Sequence, residues 1–158
     1  MSFDIPPVSD LLPHKDKMVL LDGIVSYSPE DKMIVARVDV TEESPFYDDR
    51  LGGVPNFVSI EYMAQASAAL AEISQKANDP SAKPRPGMLL GTRKLGLDTG
   101  KFEKGRRYLV SAKDVFDDGT TASFECEVRD AEGNIVAAAS LTAYRPEDFT
   151  QFLKERTS

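Results

Sequence analysis

From Pro55 to Ala77 the chain contains no internal glycine or proline, and it is rich in Ala with Met, Leu, Gln and Glu. That composition predicts a helix of about six turns. Its apolar residues, Phe57, Val58, Ile60, Met63, Ala64, Ala66, Ala69, Leu70 and Ile73, leave almost no polar face. A helix that is apolar nearly all round must be enclosed by the rest of the fold. The abundance of alanine implies that neighbouring backbone comes close to it. In a chain of 158 residues, the remaining segments have to form the enclosure.

Those segments read as strands. The run Met18-Val19-Leu20-Leu21 continues into Ile24-Val25 and on to Tyr27, and Ser28-Pro29-Glu30-Asp31 then turns the chain. Ile34, Ala36, Val38 and Val40 alternate with Arg37 and Asp39, the period of a half-buried strand. These two strands are predicted to pair as a hairpin. A loop through Pro45 to Gly53 leads to the helix, which Asn78-Asp79-Pro80 ends, and Ser81 to Pro86 is a polar connection. Four strands are predicted after it: Met88 to Leu97, Arg107 to Phe116, Ala122 to Arg129, and Ile135 to Tyr144. Asp118-Gly119 and Gly133-Asn134 supply hairpin-turn chemistry. Pro146-Glu147-Asp148 opens a short helix ending near Arg156.

Two strands, one buried helix and four strands in a largely antiparallel meander predict an α+β architecture. It is the hotdog fold, a curved antiparallel sheet wrapped around one long central helix, formed by residues 1–158 as a single domain.

Composition narrows the function. The chain has 19 basic and 26 acidic residues, a net charge of −7, whereas nucleic-acid binding calls for an excess of Lys and Arg. Cys126 is the only cysteine and His14 the only histidine. An intrachain disulfide is therefore excluded, a reducing compartment is expected, and one Cys with one His cannot supply an ordinary structural zinc site. The first residues lack a basic and apolar leader, and no run of 18 apolar residues occurs, so a cytoplasmic protein independent of membranes is expected.

Three stretches carry a family resemblance. Leu11-Leu12-Pro13-His14, followed by the apolar strand ending in Asp22, resembles the opening of the β-hydroxyacyl-(acyl carrier protein) dehydratases of fatty acid biosynthesis. Val58-Ser59-Ile60-Glu61-Tyr62-Met63-Ala64-Gln65-Ala66 resembles their central helix, where an Ile-Glu-x-Met-Ala-Gln run carries a catalytic carboxylate. Gly87 to Leu95 resembles the strand after that helix. The combination is most similar to the divergent branch associated with aryl polyene clusters. The resemblance implies a hydro-lyase that needs no cofactor, acting on acyl chains thioester-linked to the phosphopantetheine of an acyl carrier protein. It also implies a dimer whose acyl tunnel forms where two hotdogs meet, as a homodimer or a heterodimer with a second hotdog chain.

The resemblance assigns Glu61 as the catalytic carboxylate. With the helix starting near Pro55, Glu61 falls beyond the first turn, so complementing the helix dipole is a poor explanation for it. Apolar neighbours suit a carboxylate of raised pKa, and pairing with a base such as Arg93 is the structural alternative. The better-known dehydratases keep a histidine in a Gly-His-Phe-Pro loop before the helix, whereas this chain reads Pro45-Phe46-Tyr47-Asp48-Asp49-Arg50-Leu51-Gly52-Gly53 there. His14, at the Leu-Pro-His position, is then the base if any histidine is, or else a turn residue bonded to backbone. Tyr47 and Asp49 occupy the loop where the histidine is missing. Gly53, with the helix N-terminus, is the candidate to polarise the thioester carbonyl, and a tight turn explains the Gly52-Gly53 pair equally well. Gln65, one turn beyond Glu61, shares its face and is placed to orient it. Phe57 and Met63 are buried helix residues that border the acyl tunnel or simply pack.

Between residues 83 and 107 lie Lys83, Arg85, Arg93, Lys94, Lys101, Lys104, Arg106 and Arg107, against Asp98 and Glu103. Such a patch suits an acidic carrier protein and a phosphate, or forms a solvated strand and loop. Gly96 to Phe102 is one residue short of a P-loop and lacks its Ser or Thr, and no Gly-x-Ser-x-Gly elbow exists. Cys126 alternates with Phe124 and Val128 and reads as packing. Two other functions fit a hotdog. One is an acyl thioesterase using Glu61 or a loop aspartate to activate water. The other is a non-catalytic subunit that binds acyl chains or completes a partner's site.

Overall fold

The computed structural model describes residues 5, 7, 19–79 and 88–144. His14, Lys83, Arg85 and the helix predicted from Pro146 lie outside the described residues. The elements are β1 (Gly23–Ser28), β2 (Met33–Asp39), β3 (Gly53–Pro55), a 3-10 turn (Asn56–Val58), α1 (Ser59–Asn78), β4 (Met88–Leu97), β5 (Lys101–Glu103), β6 (Arg107–Asp117), β7 (Thr121–Arg129) and β8 (Ile135–Tyr144).

Among the described residues the main sheet runs β1-β2-β6-β7-β8-β4, every pair antiparallel. The alternation seen in the sequence determines which side chains point inward. Ile34, Ala36 and Val38 of β2, Tyr108, Val110 and Ala112 of β6, and Ala122, Phe124, Cys126 and Val128 of β7 are buried on one face. Helix α1 packs on that face, chiefly against β6, β2, β7 and β8. Tyr62, Met63, Ala66, Ala69, Leu70 and Ile73 join the core. This is the hotdog arrangement. The predicted turns form as well: Gly119 and Gly133 take φ of 95° and 87°, conformations that favour glycine.

The strand order departs from the predicted meander. β6, β7 and β8 follow one another, but β4 lies at the far edge against β8, pairing Met88 with Tyr144 and Leu97 with Ala137. The reason is reach. A helix of 20 residues spans about 30 Å, so it carries the chain across the concave face before β4 begins. Two short strands were also beyond the periodic pattern. β3 and β5, three residues each, pair as a separate ribbon, Gly53 opposite Glu103 and Pro55 opposite Lys101. Phe102 of β5 is fully buried and meets Tyr62 and Tyr108 edge-on, with ring centroids 5.2 and 5.0 Å away. That cluster ties the ribbon to the helix. Among the described residues, no helix is long and apolar enough to cross a membrane.

Candidate active site

Helix α1 begins later than the sequence predicts. Pro55 belongs to β3 and Asn56–Val58 form a 3-10 turn, so the α-helix starts at Ser59. Glu61 consequently stands in the first turn, where a carboxylate complements the helix dipole. Glu61 therefore lies within the dipole's reach, contrary to the expectation from a helix starting near Pro55. The same turn corrects Phe57. Expected as a buried helix residue, it is 63% exposed, while Val58 beside it is 4% exposed. The tighter 3-10 winding points Val58 inward and leaves Phe57 outside.

Glu61 is held from within its own helix. Gln65, fully buried, donates from Nε2 to Glu61 Oε1 at 3.2 Å. Its Oε1 accepts the backbone N–H of Leu20 at 2.9 Å. The amide thus serves the helix and the segment entering β1 together. No feature of the sequence marks Leu20 as the anchor, because the bond is a backbone contact across 45 positions. Arg93 is exposed, and the ion pairs of the described residues do not join it to Glu61.

The helix is not covered on every side. Glu61, Ala64, Ala68 and Ala71 remain half-buried, and their spacing puts them on one strip of α1. The carboxylate sits at the N-terminal end of a strip of small side chains. A carboxylate held in one orientation can exchange a proton with a group brought beside it.

Gly53 is buried, and a Cβ on it would lie 2.2 Å from the Phe102 carbonyl oxygen. Only glycine permits this close pairing of β3 with β5. Its carbonyl accepts Asp48 N–H at 2.9 Å, and its own N–H reaches the Asp48 carbonyl at 3.4 Å. The neighbouring Gly52 has φ of 72°, so the turn reading of the pair holds. Tyr47 is half-buried and Asp49 exposed on the loop before β3, which Asp48 organises by accepting the N–H groups of Arg50, Leu51 and Gly52. In that loop Phe46 adopts φ of 67°, unusual for a residue with a side chain.

Three residues of the basic segment are paired with acids of the chain. Lys104 pairs with Glu42, Arg106 with Glu103 and Glu132, and Arg107 with Asp39, while Lys101 Nζ donates to the Leu51 carbonyl at 2.8 Å. Cys126 is buried against Ser67 Oγ at 3.3 Å, and burial pushes its thiol up to about 12.

Comparison with known proteins agrees with this fold. The ApeP-like family model, described as ApeP dehydratase, matches residues 6–154. The 3-hydroxyacyl-(acyl-carrier-protein) dehydratase FabZ of Anaeromyxobacter sp. (strain K) is 30% identical over 104 residues, covering 64% of this chain and 62% of that protein. FabZ of Francisella tularensis subsp. novicida (strain U112) is 37% identical over 73 residues, covering 44% and 45%. The chain therefore spans less than two thirds of the length of these curated relatives. Among solved structures, the dehydratase heterocomplex ApeI:P from Xenorhabdus doucetiae has a TM-score of 0.86 at 28% identity, covering 97% of this chain and 99% of that one. Zebra fish thioesterase superfamily member 2, at 16% identity and a TM-score of 0.63 over 88% of this chain and 91% of that one, shares the fold. Matched by the family model along almost its whole length, with a central helix on which Gln65 holds Glu61, this chain belongs to the ApeP-like family of hotdog dehydratases.

Proposed function

We propose that this chain eliminates water from β-hydroxyacyl thioesters carried on the phosphopantetheine arm of an acyl carrier protein, giving trans-2-enoyl thioesters. The single observation that carries the reading is the Gln65-held carboxylate of Glu61 at the end of the half-open strip of α1. In this mechanism His14 removes a proton from the α-carbon, the C–O bond at the β-carbon breaks, and Glu61 delivers the proton that lets the hydroxyl leave as water. The thioester itself acidifies the α-carbon, so the step is written without a cofactor. The start of α1, reached through Gly53 and the turn after it, faces the thioester carbonyl, and Tyr47 and Phe57 flank the acyl chain. The activity named for the FabZ relatives supports this substrate class.

A second chain completes the site. The loop from Pro45 to Gly53 carries no histidine, and the ApeI:P neighbour is a heterocomplex. Both favour a partner that is a different hotdog chain over a second copy. Incubating the purified protein with a β-hydroxyacyl carrier protein and with its enoyl counterpart, followed by mass spectrometry, tests the reading. Water loss or gain by the wild type, absent in H14A and E61Q, is the expected result. Free thiol without water loss would make the protein a thioesterase. Inactivity that is relieved by a second hotdog chain, and again lost in E61Q, assigns the base to the partner and leaves Glu61 in its role.

A further inference from the structure

The turn that opens α1 is held from outside the helix. Asn56, its first residue, is half-buried and donates from Nδ2 to the Thr99 carbonyl at 3.0 Å, across 43 positions. That acceptor, in the loop between β4 and β5, is itself fixed. Thr99 Oγ1 donates to the Lys101 carbonyl at 2.7 Å, and Asp98 beside it donates its N–H to the Val136 carbonyl of β8 at 2.9 Å. Lys101, opposite Pro55 in the β3–β5 ribbon, braces the far side by donating to the Leu51 carbonyl at 2.8 Å. Asn56 is coupled to the helix as well, because the Ser59 N–H reaches the carbonyls of Asn56 and Phe57.

Asn56 does not cap this helix. Asparagine is favoured as an N-cap, where its side-chain oxygen accepts first-turn N–H groups, but here its amide donates away from the helix, to Thr99. Pro55 and Val58, which precede the 3-10 turn and α1, supply no side-chain cap either. The Ser59 hydroxyl, at the first position of α1, is buried without a hydrogen-bond partner. The start of the helix thus keeps its positive pole for a bound oxygen, and Glu61 stands in the same first turn.

We propose that Asn56 is a positioning residue for the dehydration. By holding the 3-10 turn against Thr99, it sets where the uncapped start of α1 meets the thioester carbonyl and where Glu61 meets the β-hydroxyl. The inference rests on the dehydratase reading above, and adds to it a side chain that acts through the helix without touching the substrate. Placement of this kind matters because an error of about 1 Å costs about 10²-fold in rate. Alanine at this position releases Thr99. Aspartate releases it too, and in addition turns a carboxylate toward the first-turn N–H groups, as a good N-cap does.

N56A and N56D of the full chain test this, assayed with a β-hydroxyacyl carrier protein, alone or with the second hotdog chain. The kcat of N56A should fall about tenfold and that of N56D about 10²-fold, with KM within about twofold of wild type. N56D should nevertheless melt no lower than wild type, since aspartate caps the helix. Activity and stability then part, which a merely structural asparagine would not produce. The infrared carbonyl stretch of a bound ¹³C-carbonyl enoyl thioester should also move back toward its free value in both variants. Wild-type kcat in N56D, an unshifted carbonyl stretch, or a turnover that falls only in step with melting temperature overturns the proposal and leaves the dehydratase reading standing. An N56D chain that fails to fold does the same, and N56D decides alone if N56A does not fold. A wild type that neither removes nor adds water, alone or with the second chain, overturns the reading and this inference with it.

Discussion

Gln65 donates its side-chain amide to the carboxylate of Glu61 across one turn of the central helix, at 3.2 Å. Because the same amide accepts the Leu20 N–H, its two ends have different roles, and they separate by mutation. Q65E keeps an acceptor for Leu20 but replaces the donor to Glu61 with a second carboxylate, so turnover should fall while the fold survives. Q65A removes both bonds and strands a buried N–H, which should cost about 2–3 kcal/mol in urea unfolding. E61Q should lower dehydration by about 10²–10⁴-fold with little change in stability. An E61Q protein with wild-type turnover would remove the carboxylate from the chemistry.

Gly53 and Gly52 are adjacent but not equivalent. At Gly53 a Cβ would meet the Phe102 carbonyl oxygen at 2.2 Å, and backbone cannot move aside without parting β3 from β5. G53A should therefore cost about 3 kcal/mol or more. At Gly52 the penalty is conformational, φ being 72° with space around it, so G52A should cost only about 1 kcal/mol. Chemical denaturation of the two variants side by side checks the order, and equal losses would contradict it.

Cys126 should be inert in the native protein. Burial raises its thiol to about 12, and the Ser67 hydroxyl lowers it by less, so the thiolate is scarce at pH 8. Iodoacetamide should label Cys126 only after unfolding, at a rate that follows the unfolding equilibrium. Rapid labelling of the folded chain, read by mass spectrometry, would show the sheet to be open at β7.

Asp22 makes stability depend on pH in an unusual direction for a carboxylate. Partial burial raises it above its ordinary value, outweighing the Asp39 N–H bond that lowers it, and the charge of Asp39 adds to the rise. The folded state thus holds its proton more tightly than the unfolded state. The stabilisation from this group is complete below the unfolded pKa and is lost as pH rises through the folded one. D22N should consequently melt higher than wild type at pH 7, by a small margin because the group is half exposed. The gain should vanish as pH falls below the ordinary carboxylate range. A gain that grows on acidification would reverse the assignment.

The legible parts of this fold are those encoded locally. The strand Ile135–Tyr144 and the strand Met88–Leu97 have the bounds the sequence predicts, and glycine turns at Gly119 and Gly133 close the hairpins around β7. The start of the helix was misplaced because Pro55 is as acceptable at a helix start as in the strand it occupies. β3 and β5 carried no period at all, being three residues each. Of the site, Glu61 came from the family resemblance, and spacing added Gln65 beside it, since positions four apart on a helix face one another. Their link to Leu20 could not, and His14 lies outside the described residues.

By itself, then, the sequence determined a buried alanine-rich helix, the inward faces of its strands and the pairing of Gln65 with Glu61, all set by contacts within a few residues. Tertiary structure alone decided that β4 crosses to the edge beside β8, that Gly53 presses on Phe102, and that Gln65 is held by Leu20. Each of these depends on groups brought together from distant parts of the chain. Periodicity carries no record of such partners, because the free energy that selects them comes from burial and hydrogen bonding realised only when the sheet closes on the helix.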